Sequence, residues 1–173
     1  MTGADDRVLE DLIERQRARF YGKYRGIVHD IDAATMRIKA IVPSVLGENP
    51  TGWCMPCVPY AGPNRGFGFL PEKNSGVWIE FEGGDVSYPL WVGGYWREGE
   101  FPGDAAEHVK VIITGDHKLE FDDDQGTITL TDNNGNSVTL DSSGITLKNG
   151  DTVSVVVSSS SVSVNDGALE VQA

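Results

Sequence analysis

The chain has 173 residues, with 14 lysines and arginines against 26 aspartates and glutamates, and a formal net charge of -12. So acidic a surface argues against a protein that wraps nucleic-acid phosphates, and no run reaches the roughly 20 apolar residues of a membrane span. The N-terminus also lacks the basic-then-apolar order of a secretory signal, so the expectation is a chain made in the cytoplasm that need not act there.

Residues 5–20, DDRVLEDLIERQRARF, set Val8, Leu9, Leu12, Ile13 and Phe20 near one helical face. Asp5 and Asp6 suit the positive end of a helix dipole, while Arg15, Arg17 and Arg19 suit the other. One amphipathic helix within residues 1–21 follows, stopped by Gly22, with Val8, Leu9, Leu12 and Ile13 available to cap its own domain or to dock on a hub.

From Tyr24 the pattern changes to short strands, first over 24–28 and then over 36–42, where Met36, Ile38, Ala40 and Val42 alternate with Arg37, Lys39 and Ile41. The stretch that follows, 43–76, is rich in proline and glycine. It is expected to be a long ordered loop pinned by Trp53, Tyr60, Phe67 and Phe69.

Residues 76–96, GVWIEFEGGDVSYPLWVGGYW, read as a hairpin. Val77, Ile79 and Phe81 alternate with Trp78, Glu80 and Glu82, which is the period of a strand with one face inward. Gly83, Gly84 and Asp85 tolerate the turn, and Leu90-Trp91-Val92 returns as a second strand stopped by Gly93 and Gly94. Such a hairpin is marginal alone. With the earlier strands it makes a small barrel or sandwich over 22–97, for which Trp53, Trp78, Phe81, Gly83, Gly84, Trp91, Gly93, Gly94 and Trp96 form the core and a collar at its exit.

Residues 98–117 are expected to hold a linker and a first needle strand. From Lys118 seven runs follow (KLEF, TITLT, SVTL, ITLK, TVSVVV, VSV and ALEV), separated by turns such as DDDQG, DNNG, DSSG and NDG. Gly126, Gly135 and Gly144 are nine residues apart, so this region repeats internally.

Each run offers only two or three apolar side chains on one face: Leu119 and Phe121, Ile128 and Leu130, Val138 and Leu140, Ile145 and Leu147, Val153 and Val155, Val162 and Val164, Leu169 and Val171. That is too little to close a core within one chain, so the stripe must be buried against copies of itself. Charge divides the chain at the same place. Residues 1–104 carry 11 basic and 15 acidic residues, and residues 105–173 carry 3 and 11. Three chains stacking seven layers at ~4.8 Å would build a prism of roughly 35 Å.

The order YRGIVHDID, MRIKAIVPSVLG, WCMPCVPYAGPNRGFGFLPEKNSGVWIEFEGGD and PLWVGGYW resembles the baseplate assembly protein V family of contractile phage tails, which is related to the VgrG-type spikes of injection systems. The resemblance covers residues 22–97. It implies an all-β protein with an N-terminal helix, a small barrel of the oligonucleotide/oligosaccharide-binding (OB) type, and a C-terminal intertwined triple-stranded β-helix formed by a homotrimer over 118–173.

The same resemblance implies a structural spike at the centre of a baseplate, seated in the hub through its barrel and touching the target membrane transiently. The chain departs from fuller members in having no room for a lysozyme domain between barrel and needle. Its histidines are His29, His108 and His117, so the terminal His-x-His pair that binds iron in some members is missing. No metal or other cofactor is expected, and the blunt end would receive a separate tip protein of the PAAR type.

Sharper chemistry finds little support. Trp53-Cys54-Met55-Pro56-Cys57 is similar to a thioredoxin-like redox motif, but Pro59 disfavours the helix such a cysteine needs. A zinc site would need two ligands beyond the two cysteines, and His29 is the only candidate in the barrel region, so two small buried thiols are expected. Asp122-Asp123-Asp124 reads as a solvated turn, because DNNG and DSSG do not repeat its carboxylates as a ladder of calcium sites would. No catalytic constellation stands out, and the expectation is no enzyme. Besides the spike, the sequence leaves open a secreted or surface module whose long loop grips a carbohydrate or peptide on a trimeric β-stalk.

Overall fold

The structure is a computed structural model of the chain, and it describes residues 8, 9, 13, 19–103 and 106–172. Most of the expected helix, Leu12 included, lies outside the described residues. Val8, Leu9 and Ile13 have helical backbone and are exposed. The chain divides into two compact units, Met1–Phe101 and Pro102–Ala173.

The first unit is a curled sheet. Strands β1 (Tyr24–Asp32) and β2 (Arg37–Ile41) form a hairpin, and two-residue strands β3 (Met55–Pro56), β4 (Ala61–Gly62) and β5 (Arg65–Gly66) punctuate the long loop. The hairpin of β6 (Gly76–Phe81) and β7 (Pro89–Tyr95) completes the unit. The sheet order is β2-β1-β6-β7-β3, with β3 parallel to β7 and the other neighbours antiparallel.

Its two edges approach each other through the loop. Cys54, beside β3, bridges Ile38 of β2, and Ile41 bridges Pro50. The segment read as irregular therefore supplies the closing wall of a barrel.

The core follows the alternation of the strands: Val28, Ile38, Ala40, Val42, Cys54, Val77, Ile79, Phe81 and Trp91 are buried together. Thr51 is the buried polar member. Its hydroxyl accepts from the Ala40 amide at 3.0 Å, and its own amide donates to the Ala40 carbonyl at 2.9 Å. A side chain that completes a backbone ladder in this way leaves no polar group stranded in the core.

β7 runs through Gly93 and Gly94 to Tyr95, where a stop was expected. The register shifts between Val77 and Ile79, and Gly93 takes φ 142, so a bulge absorbs the extra residue and pairing resumes beyond it.

The second unit is one eight-stranded antiparallel sheet in sequence order. It comprises β8 (Val109–Ile113), β9 (His117–Asp122), β10 (Thr127–Asp132), β11 (Ser137–Asp141), β12 (Gly144–Asn149), β13 (Val153–Val157), β14 (Ser161–Val164) and β15 (Leu169–Gln172).

Aspartates at strand ends fold the turns. Asp122 Oδ1 accepts from the amides of Asp124 and Gln125, both at 3.0 Å. Asp132 Oδ1 accepts from Asn134 and Asn136, both at 2.9 Å, and Asp141 Oδ1 from Ser143 and Gly144 at 2.7 and 3.2 Å. Each carboxylate satisfies amides that the reversing backbone cannot pair. The glycine after each, at 126, 135 and 144, takes φ of 64, 80 and 139, which explains the nine-residue spacing.

Candidate assembly surface

The second unit gathers its apolar side chains on one face by register alone. Leu119 stands opposite Leu130 and Ile112, and Phe121 opposite Ile128. Ile128 pairs with Leu140, Leu130 with Val138, Val138 with Leu147, and Leu140 with Ile145. The row continues through Leu147 with Val155, Ile145 with Val157, Val155 with Val164, and Val157 with Val162, ending at Val162 with Val171 and Val164 with Leu169. Val153 shares the face of Val155 and stands opposite Asn149.

This face is uncovered. No described residue of the second unit is buried, and Leu130 is 50% exposed. On the opposite face Thr127, Thr129 and Thr131 are only half-exposed, so within one chain the apolar side of β10 is the more open side. That inverts the usual order of burial.

Ile112 and Val157 belong to this face but were missed by sequence reasoning. In VKVII and VSVVV an apolar residue also occupies the alternate positions, which hides the period of two. The acidic triplet is divided among tasks: Asp122 folds its turn, Asp123 pairs with Lys110, and Asp124 lies 3.4 Å from His108 Nδ1. Among the described residues no group of three or more His, Cys, Asp or Glu side chains could hold a metal.

In the barrel, Phe81 and Trp91 are core residues, and Trp91 Nε1 donates to the Met36 carbonyl at 3.0 Å. Trp78 lies on the outer face, 5.2 Å from the Tyr95 ring, with the Arg25 guanidinium 5.8 Å from each ring centroid. This covers the indole that interrupts the polar side of β6.

Gly83 and Gly84 form the turn with φ of 59 and 77, and Gly84 is buried beneath the incoming N-terminal segment. The Phe20 amide donates to the Gly84 carbonyl at 2.8 Å, Arg19 Nη1 to the Gly83 carbonyl at 3.2 Å, and Phe20 packs on Tyr24 and Phe81.

Three expectations are corrected here. Trp53 and Trp96 are surface residues, 39% and 63% exposed. Cys54 takes the inward place next to Trp53, leaving the indole outside under Lys39, while Trp96 lies past the end of β7 and packs edge-on against Phe101.

The loop is held by backbone bonds from Thr51, Cys54 and Cys57 to Ala40, Ile38 and Trp91, whereas Tyr60, Phe67 and Phe69 are exposed along with Trp53. Of the two cysteines only Cys54 is buried, and that burial pushes its thiol pKa up. Cys57 is exposed, three residues further along an extended segment and so on the other face.

The curled five-stranded sheet followed by an antiparallel sheet with one open apolar face defines an all-β protein with an OB-like domain and a β-sheet extension. Residues 24–96 match the Type VI secretion system/phage-baseplate injector OB domain, and residues 109–170 match the phage baseplate V C-terminal trimerisation domain. No curated protein matches the chain. The chain belongs to the baseplate assembly protein V family. It is a structural, spike-like baseplate component that forms a homotrimer and assembles into a phage tail or injection-system particle.

Proposed function

We propose that three copies form the central puncturing spike of a contractile tail or injection system. The observation that carries this reading is the open apolar face of the second unit. Burying one Leu, Ile, Val or Phe side chain contributes about 1.5–3 kcal/mol, and a face of such residues across eight strands is stable in water only when covered. Three copies packed about an axis cover it by symmetry, and the resulting prism carries load.

In this reading residues 1–21 are a helix that docks on the hub or the barrel, 22–97 seat the barrel in the hub, 98–117 hold the linker and first needle strand, and 118–173 form the needle. A PAAR-type tip protein caps the far end, and the target envelope is met only during contraction. Sedimentation of the full-length chain tests the core of the proposal. A species of three times 18.7 kDa is expected, and a monomer at micromolar concentration would overturn it.

A further inference from the structure

Trp96 and Phe101 form an exposed aromatic pair where the chain leaves the barrel. Their rings pack edge-on at 4.8 Å and 88°, and 63% of Trp96 and 47% of Phe101 remain open to solvent.

The loop that carries the pair is fixed before anything covers it. The Glu100 amide donates to the Arg97 carbonyl at 3.1 Å, and the Glu100 carboxylate accepts from the Arg97 amide at 2.8 Å and from Arg97 Nε at 2.6 Å. Arg97 Nη2 donates to the Asn74 carbonyl at 3.1 Å, which anchors the loop to the turn before β6. Aromatic side chains held on such a loop lose little entropy when they are buried.

Chain connectivity keeps the pair near the trimerising sheet. Phe101 is the last residue of the first unit, and seven residues, 102–108, separate it from β8. Seven residues reach about 25 Å at most. In the homotrimer three barrels are therefore tethered within that reach of three joined sheets, which sets their mutual concentration in the millimolar range. A contact too weak to hold free chains together forms under that condition.

Charge at the patch favours no other occupant. Residues 94–103 carry Arg97 and Glu100, which neutralise each other, and one further acid, the exposed Glu98. In the cleft beside them Lys73 is already paired with Asp30 at 2.8 Å. With both cations engaged, an anionic partner gains little here, and what remains on offer is the aromatic surface.

We propose that the three Trp96–Phe101 pairs meet one another about the three-fold axis, so that contact between copies continues from the apolar face of the second unit onto the barrels. A residue near a three-fold axis meets its own copies, so an aromatic cluster there needs no second, complementary patch. The proposal rests on the homotrimer, whether or not the particle punctures a cell.

Full-length protein carrying Trp96→Cys in a Cys57→Ser background is oxidised and run on a gel without reductant. Cys57 is the exposed native thiol and Cys54 is buried, so cross-links report the introduced site. Tyr88→Cys in the same background is the control, 62% exposed and just before β7, whereas Trp96 lies just past its other end. A covalent dimer is expected from Trp96→Cys at least about ten times faster than from the control.

In parallel, Trp96→Ser/Phe101→Ser is dissociated in urea and followed by sedimentation, where a trimer dissociation constant raised about tenfold or more is expected. Both side chains are exposed within one chain, so the variant should keep the circular-dichroism spectrum of the parent. A trimeric parent that cross-links no faster through Trp96→Cys than through Tyr88→Cys overturns the proposal and leaves the spike reading intact. An unchanged dissociation constant does the same, because the pair then faces some other partner or none. A monomeric parent overturns both.

Discussion

Trp91 and Met36, 55 residues apart, are joined by a 3.0 Å hydrogen bond from the indole Nε1 to the Met36 carbonyl. The bond ties the β6–β7 hairpin to the β1–β2 turn at a residue whose φ is 57, an uncommon value for a side chain other than glycine. Trp91→Phe keeps most of the ring but strands that carbonyl, at a cost of about 1–3 kcal/mol. Trp91→Ala also opens a cavity, raising the loss to about 3–5 kcal/mol. Hydrogen exchange should show the loss across residues 24–96. Protection lost only beyond residue 109 would refute this role for Trp91.

Gly84 is where the N-terminal segment meets the hairpin turn. A Cβ there would stand 3.1 Å from Arg19 Cβ, the Phe20 amide nitrogen and Tyr21 Cε1, and φ is 77. Gly84→Ala should therefore release residues 19–21 and cost about 1–2 kcal/mol, through strain and through the lost Phe20 bond. Limited proteolysis after Arg19 is the readout. Faster cleavage in the variant is expected, and cleavage at the parent rate would show that the turn does not hold the segment.

Strand alternation made much of this legible from the residues. Ile38, Ala40, Val42, Val77, Ile79 and Phe81 are buried as their period requires, because each strand has one inward face. The needle face was readable for the same reason. Trp53 and Trp96 were misread because a tryptophan's size says nothing about which way the chain turns it. Cys54 takes the inward place beside Trp53, and Trp96 lies beyond a glycine bulge that the sequence does not announce. The loop's role as barrel wall was hidden because it depends on non-local bridges to Ile38 and Ile41 rather than on any local pattern.

Gly144 shows how closely the needle strands are set. A Cβ on it would lie 2.0 Å from the Val157 carbonyl oxygen, on the neighbouring strand β13. No rotamer relieves a backbone clash, so Gly144→Ala should break the β12–β13 ladder locally and lower the melting temperature of the assembled protein by several degrees, about 2–4 °C per kcal/mol for a chain of this length. An unchanged melting temperature would contradict the close approach of Gly144 to the Val157 carbonyl across the β12–β13 ladder.

Leu130 and Thr129 offer a test of which needle face is the inner one. Leu130→Asp places a charge on the apolar row between Leu119 and Val138, whereas Thr129→Asp places it opposite Glu120 and Thr139 on the other face. If copies meet on the apolar row, the first variant buries carboxylates without partners and should sediment as a monomer, while the second stays trimeric with a modest loss from repulsion by Glu120. Val138→Asp and Thr139→Asp should repeat the contrast. The opposite result would put the threonine face inside.

Acid should loosen the needle through its turns. Hydrogen bonds from the Asn136 side chain and amide hold the Asp132 carboxyl below its ordinary 3.8, and the Ser143 hydroxyl and amide do the same for Asp141. A carboxylate depressed on folding contributes stability that is fully present above the unfolded value and is lost as pH falls through the folded one. The contribution of both turns is therefore complete at neutral pH and fades from about pH 4 downward. Asp132→Asn retains an acceptor but no charge, so the gap in melting temperature between parent and variant should be widest near pH 7 and close on acidification. His117 stands opposite Asp132 in the ladder, which makes Asp141→Asn the cleaner companion. A gap that stays constant from pH 7 to strong acid would show that the charge of these aspartates plays no part in holding the turns.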